Sequence, residues 1–296
     1  MLVKRDVDAR GPKFGSLAAI HTAVVLFGFS GLFGKFLLCS PLVIVFGRTV
    51  FASLALAPLL LKSGITPFRT NRHRLVIYML QGALLALHWC TFFLSIQIST
   101  VALGLLTFSS FPLFVTLLEP LFFKERLRPV DMGIALLVFA GLILVLPSFD
   151  FSQKPVQGAL WGTFSGFTFA LLAIFNKKNL AFDTPMGVAF HQNAFAALSL
   201  VPVLLITTPG VPTPEEILLL AGLGIVCTAL SHTLFISSLK QLRATTVSII
   251  TALEPLYGIL LAALLLNEMP TPRTLAGGAI IITATTLATW SHKKNH

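Results

Sequence analysis

Apolar residues run through this chain in long unbroken blocks, separated by short polar or proline-bearing links. The blocks cover roughly residues 16–38, 41–61, 74–96, 101–123, 131–146, 157–176, 185–206, 216–239, 244–266 and 272–290. Each is close to the ~20 residues a helix needs to cross a ~30 Å hydrocarbon layer. Backbone in lipid must satisfy its own hydrogen bonds, and the alternating apolar and polar positions of a membrane barrel are missing. The pattern therefore predicts an all-α integral membrane fold with ten transmembrane helices. The links are too short to hold a soluble domain, and the first block is too long and too weakly flanked by a cleavage site to read as a removed signal peptide.

Composition agrees: 55% of the 296 residues are hydrophobic and 11% are charged, against about a quarter charged in an ordinary soluble domain. Cys39, Cys90 and Cys227 lie far apart in or beside apolar blocks. They have no metal-site spacing, imply no disulfide framework, and read as small packing residues. The formal charge of +10 is not a nucleic-acid footprint. The loop lysines and arginines gather on alternate links, with Lys154 and Arg273 standing apart, which is the bias that orients short-looped membrane proteins. It places both termini in the cytoplasm and leaves the lipid bilayer and a small-molecule substrate as partners, with no nucleic acid.

Two stretches, "LLTFSSFPLFVTLLEPLFFKE" from Leu105 and "SIITALEPLYGILLAALLLNE" from Ser248, share an order of apolar residues, proline and glutamate. Adding 143 to a first-half position often lands on its match: Gly15 on Gly158, Lys35 on Lys178, Phe92 on Phe235, Pro112 on Pro255, Glu125 on Glu268. One extra residue brings Pro41, Phe46 and Pro58 onto Pro185, Phe190 and Pro202. The chain thus divides into a tail (1–15), a first five-helix repeat (16–146), a linker on the periplasmic side (147–156), a second five-helix repeat (157–290) and a C-terminal tail (291–296). Five is odd, so the second copy enters the membrane in the opposite sense. Inverted repeats are a recurrent architecture of secondary transporters, which bind substrate between the halves near the midplane.

The duplicated layout, the lysine closing the first segment of each half, and the proline followed thirteen residues later by glutamate (Pro112 to Glu125, Pro255 to Glu268) resemble the EamA-type branch of the drug/metabolite transporter superfamily. The resemblance spans about Gly15 to Trp290. It implies a multi-pass exporter of amino acids or other small metabolites in the bacterial inner membrane. It also implies a cavity lined mainly by the first, third, fourth, sixth, eighth and ninth segments. An importer or exchanger is the alternative within transport.

An ionisable group inside a membrane segment is costly unless paired or wet, and so marks candidate function. Glu254, near the midplane of the ninth segment, is the candidate proton-coupling carboxylate; its alternative is a permanently neutral or paired structural role. Pro112 and Pro255 occupy equivalent places, where a missing donor loosens the helix, and are candidate hinges. Arg48 either clamps a substrate carboxylate or pairs with another helix. His88 and His232 lie at matching depth in the third and eighth segments, and Trp89, Trp161 and Tyr257 are candidate aromatic lining for a flat or zwitterionic substrate. Lys35 and Lys178 read as snorkelling anchors or gate residues, and Glu119 as a snorkelling or paired acid. His191, Gln192 and Asn193 form a polar break of which one or two can face a single cavity. Gly28-Phe29-Ser30-Gly31 matches the short serine motif of intramembrane rhomboid proteases, which lack the five-plus-five duplication. The sequence carries neither an HExxH zinc motif nor a nucleotide-binding loop, so the expectation is a transporter rather than an enzyme, without a cofactor and with protons as the candidate coupling ion.

Overall fold

A computed structural model describes residues 14–66, 71–123, 129–146, 148, 150–180, 182–242, 247, 250–251 and 253–293. Among these residues the fold is helical and contains no strand. The helices are α1 (Phe14–Phe36), α2 (Pro41–Lys62), α3 (Arg72–Ile98), α4 (Val101–Phe108), α5 (Phe111–Phe123), α6 (Pro129–Val145), α7 (Lys154–Asn179), α8 (Pro185–Thr207), α9 (Pro214–Gly224), α10 (Ser231–Gln241), α11 (Glu254–Leu266) and α12 (Pro272–Lys293). A π-helical turn, Ile225–Leu230, joins α9 to α10 without interrupting the rod.

Local chemistry fixes most starts. Asn71, Thr100 and Thr184 cap α3, α4 and α8 by accepting the amides of Arg74, Leu103 and Gly187. Thr213 and Glu216 form a reciprocal capping box on α9, which satisfies two of its otherwise orphaned donors. Prolines open α2, α6, α8, α9 and α12, a position where the absent N–H costs nothing.

Among the described residues six helical runs are long and apolar enough to cross a membrane: Gly15–Phe36, Pro41–Lys62, Arg72–Ile98, Lys154–Asn176, Pro185–Thr207 and Pro214–Lys240. Val101–Val115, Gly133–Val145 and Glu254–Leu266 are shorter apolar helices. The fourth expected span is broken by a turn at Ser109–Ser110, after which Pro112 sits in the first turn of α5. The ninth breaks just before Glu254, which opens α11 with Pro255 beside it. Both prolines therefore stand at the start of a new helix rather than at a bend within a continuous one. Side chains such as Leu54, Leu136, Leu198, Leu218 and Leu264 are exposed, as expected of a surface whose solvent is hydrocarbon.

Packing couples the halves in matched pairs. α1 packs against α10 and α11, while its repeat counterpart α7 packs against α3, α4 and α5; α2 packs on α9, and its counterpart α8 packs on α3. The counterparts α2 and α8 also pack on one another, as do α6 and α12, and α4 and α11. Glycine makes the central crossing possible. A Cβ on Gly28 would lie 2.9 Å from the Gly258 nitrogen and 3.0 Å from the Glu254 carbonyl oxygen, so α1 and α11 meet backbone to backbone. That contact draws Glu254 to the molecular axis.

Candidate functional site

Midway along α1 and α3 lies a small cavity of about 40 Å³. Its walls are Phe27, Ser30, Arg48, Leu85, His88, Trp89, Phe92, Phe108, Phe169, His232 and Glu254. At the ~10–15 Å³ a buried water needs, it has room for about three waters. Residues from both repeats meet here, and the structure brings Arg48, His88, Trp89, His232 and Glu254 together.

Arg48 is held on three sides. Its Nε donates to Thr228 Oγ1 at 3.0 Å, its Nη2 approaches the Cys227 carbonyl at 3.5 Å, and its guanidinium lies 3.9 Å above the Trp89 ring centroid. The π-turn explains the first contact. The Thr228 hydroxyl gives its single proton to the carbonyl of Leu223, five residues earlier, at 2.8 Å, so only its lone pairs are left for Arg48. The Nη donors beyond these contacts remain for the cavity. Glu254 lies across the same cavity, and among the described residues no ion pair joins it to Arg48. A cation and a carboxylate thus face one space without neutralising each other directly.

His88 is oriented by α7. Its Nδ1 lies 3.0 Å from the Ser165 carbonyl oxygen and 2.8 Å from Ser165 Oγ, while Ser165 Oγ donates to the His88 carbonyl at 3.0 Å. A carbonyl only accepts, so Nδ1 carries the proton, and Nε2 of the neutral ring is left as an acceptor. His232 stands edge-on to Trp89, with ring centroids 6.0 Å apart, and its buried Nδ1 has no hydrogen-bond partner. Ser30 lines the cavity, but among the described residues no hydrogen bond ties it to either histidine.

Other expected residues lie elsewhere. Trp161 is 40% exposed and packs edge-on against Phe164 on the outer surface of α7. Tyr257 sits at the α1–α11 crossing beside Gly28, outside the cavity lining. The side chain of Glu119 lies outside the described residues. His191, Gln192 and Asn193 are all buried yet none reaches the cavity: His191 stacks on Tyr78 at 4.5 Å, Gln192 donates to Gln81 Oε1 and Asn176 Oδ1, and Asn193 donates to the Ala189 carbonyl.

The end carrying Lys35 is closed by contacts among helix ends. Lys35 Nζ donates to the Ser99 carbonyl at 2.6 Å and lies 3.9 Å from Glu268, whose other oxygen accepts the Val101 amide at 2.8 Å. Glu216 accepts the amides of Leu38 and Cys39, both at 3.1 Å. These ties bind residues of the first repeat to carboxylates of the second. Burial, and after it the charge of Glu216, push the Cys39 thiol up to about 11. At the opposite end, the start of α3 and the end of α7 line a cavity of about 560 Å³.

A family model for the EamA-like transporter family matches residues 14–146 and 156–290, one copy for each half. The chain belongs to the EamA-like transporter family. Among curated relatives of this EamA-like chain, an S-adenosylmethionine uptake transporter from Rickettsia bellii is 26% identical over 254 residues, covering 85% of this chain and 84% of its own. The pseudopaline exporter of Pseudomonas aeruginosa is 25% identical over 241 residues, covering 81% and 83%. A crystal structure 20% identical in sequence superposes with a TM-score of 0.68 over 94% of this chain and 98% of the other, which places the fold. The protein is thus a multi-pass membrane transporter of small molecules.

The sequence reading missed Thr228, Ser165 and Glu216. A threonine or serine inside an apolar helix is so often bonded to its own preceding turn that its sequence context carries no signal. Glu216 reads as a capping residue, and only the folded chain shows its second oxygen reaching the α1–α2 link.

Proposed function

We propose that this EamA-like protein is a secondary transporter that carries a small zwitterionic metabolite, such as an amino acid or a related compound, across the bacterial inner membrane by alternating access. The observation that carries the reading is the unpaired opposition of Arg48 and Glu254 across one cavity with aromatic walls. A substrate carboxylate would take the remaining guanidinium donors, its ammonium would face Glu254 and His88 Nε2, and its side chain would pack on Phe27, Phe92, Phe108 and Phe169. The name of one relative supports such a class, because S-adenosylmethionine joins a carboxylate to cationic groups.

The matched packing of the halves supports two inverted five-helix repeats; ten spans put both termini on one side, and the lysine and arginine bias of the links assigns that side to the cytoplasm. In that orientation the end tied by Lys35, Glu216 and Glu268 is the periplasmic one, and the end with the larger cavity faces the cytoplasm. The cavity is too small for a metabolite, so the conformation is loaded only after α3 and α7 part further. Export is the direction implied by the family resemblance, and Glu254, once freed of substrate, is the site where a proton would bind.

The test is flux. Proteoliposomes holding the purified protein are loaded with a panel of radiolabelled zwitterions, including S-adenosylmethionine, and efflux and uptake are followed separately. Arg48→Gln and Glu254→Gln should each abolish net movement of the transported compound. Unchanged flux in both variants would remove the central cavity from the mechanism, and efflux slower than uptake under every gradient would reverse the assigned direction.

A further inference from the structure

Arg48 and Glu254 carry opposite charges on the walls of one cavity and are almost wholly buried, 2% and 5% exposed. Two such groups inside a membrane are expected to meet, because each offsets the cost of burying the other. Here they stay apart, and the contacts of Arg48 show how. Its Nε donates to Thr228 Oγ1 at 3.0 Å, its Nη2 lies 3.5 Å from the Cys227 carbonyl, and its guanidinium carbon is 3.9 and 5.4 Å from the Trp89 and Phe93 ring centroids. Both polar contacts come from the π-turn. That turn is itself pinned, since Thr228 Oγ1 donates to the Leu223 carbonyl at 2.8 Å and Ser231 Oγ to the Cys227 carbonyl at 2.6 Å.

Glu254 has no such provision. Among the described residues no hydrogen bond or ion pair reaches its carboxylate. The remaining titratable groups on the described cavity wall are His88 and His232, and the neutral His88 ring presents an acceptor rather than a donor. On α1 and α4, which pack against α11, the titratable side chains are His21 and Lys35, each seven residues from the Gly28 crossing and so about 10 Å away along the helix. The buried amide layer of Gln81, Asn176, Asn179 and Gln192 bonds within itself and carries no charge, so it offers Glu254 no counter-ion.

We propose that Thr228 and Trp89 are positioning residues that hold Arg48 off Glu254, and that this separation ties net transport to protons, because the empty protein can cross between its two conformations only with Glu254 protonated. The inference rests on the transport reading and on Glu254 as the proton site. With a zwitterion bound, its carboxylate on Arg48 and its ammonium on Glu254, every charge in the cavity is matched. Once the zwitterion has left, a proton from the side that received it binds Glu254, is carried back and is released to the side that supplies the next substrate. One proton thus moves inward for each zwitterion moved outward, and one positive charge moves with it. The empty, deprotonated protein is the state that must not cross. Arg48 is satisfied by its own contacts, so the carboxylate is left as an unmatched charge that is costly within the membrane. A mobile Arg48 would instead close a buried pair with Glu254, the empty protein would return without a proton, and the gradient would run down with no substrate moved.

The test needs no substrate. Purified protein is reconstituted into phosphatidylethanolamine–phosphatidylglycerol liposomes containing pyranine, a potassium gradient with valinomycin sets the potential, and proton entry is timed after external acidification. The parent should admit protons little faster than protein-free liposomes. Thr228→Val should raise the protein-dependent rate roughly tenfold, the factor by which loss of a hydrogen bond to a charged group shifts an equilibrium between held and released Arg48. Trp89→Leu should leak in the same way, and Thr228→Ser should be as tight as the parent. Adding either Arg48→Gln or Glu254→Gln to Thr228→Val should abolish the leak, since it passes through the pair. A leak that survives either addition would be a packing fault admitting water, and would overturn the proposal. So would a parent as leaky as Thr228→Val, or proton-tight Thr228→Val and Trp89→Leu. Loss of zwitterion flux in Arg48→Gln and Glu254→Gln beside those two tight variants sinks this inference while the transport reading stands, so the two fail separately.

Discussion

Thr228→Val separates a positioning contact from mere packing, because valine keeps the volume of threonine and removes both of its hydroxyl functions. In the native chain Thr228 Oγ1 accepts from Arg48 Nε at 3.0 Å and donates to Leu223 at 2.8 Å. Hydrogen bonds to charged groups contribute about 1.5–3 kcal/mol. The variant leaves the guanidinium of a side chain only 2% exposed with the Trp89 face and the long contact to Cys227. Those partial substitutes hold the loss near the lower figure, and at ~1.4 kcal/mol per factor of ten the substrate concentration for half-maximal flux should rise about tenfold. The maximal rate should change less, since the groups that move between conformations are untouched. Thr228→Ser restores the hydroxyl and should recover most of the affinity. The assay is concentration-dependent flux in proteoliposomes at matched protein content. Thr228→Val with the parent's half-saturation, in a background where Arg48→Gln is inactive, would refute the idea that the π-turn exists to aim Arg48.

Four further outcomes are expected. Lys35→Cys combined with Glu268→Cys should be bridged by a short bifunctional methanethiosulfonate that stops transport, with a reductant restoring it; transport by the cross-linked protein would show that this end need not open. Glu254→Gln should leave substrate exchange while abolishing the response of flux to an imposed pH gradient, and a parent-like response would assign proton coupling elsewhere. Gly82→Ala places a methyl 2.5 Å from Phe195 Cβ and 2.7 Å from the Ala196 nitrogen. It should therefore cost about 1–3 kcal/mol by overpacking the α3–α8 crossing, seen as a lower melting temperature in detergent; an unchanged transition would mean that the helices separate easily. Cysteines introduced at Thr213 and Asn295 should differ in labelling by an impermeant reagent on intact spheroplasts, and equal labelling would overturn the orientation.

The helical class and the duplication were legible because hydrocarbon imposes a long, simple pattern and because each half repeats it. The family model matches residues 14–146 and 156–290, one copy for each half. Arg48, His88, Trp89, His232 and Glu254 were legible as candidates because polar groups are rare in apolar spans, so each stands out before any contact is known. Trp161 and Tyr257 carried the same kind of signal and lie outside the cavity. An aromatic ring is as stable against lipid or at a helix crossing as in a binding wall, and the residue type does not say which side of the helix it occupies. The breaks at Ser109–Ser110 and before Glu254 were visible only as prolines, since proline marks both a bend and a helix start. The amide layer of Gln81, Asn176, Asn179 and Gln192 joins three helices, a coincidence of depth and rotation that a linear chain does not display.

The reciprocal packing of the halves bears on how such a chain arose. Because α1 finds its main partners in α10 and α11, and α7 in α3, α4 and α5, neither five-helix unit has a complete interior of its own. Expressed singly, the first unit would turn Arg48 and His88 toward lipid, and the second would do the same with His232 and Glu254. A lone unit therefore needs a second unit to cover its inner face. Fusion of two such genes converts an association that depends on encountering a partner into one fixed by the linker near residues 147–156. Once the two copies were fused, each was free to diverge: Arg48 and its counterpart Gln192 now serve different layers of the same protein.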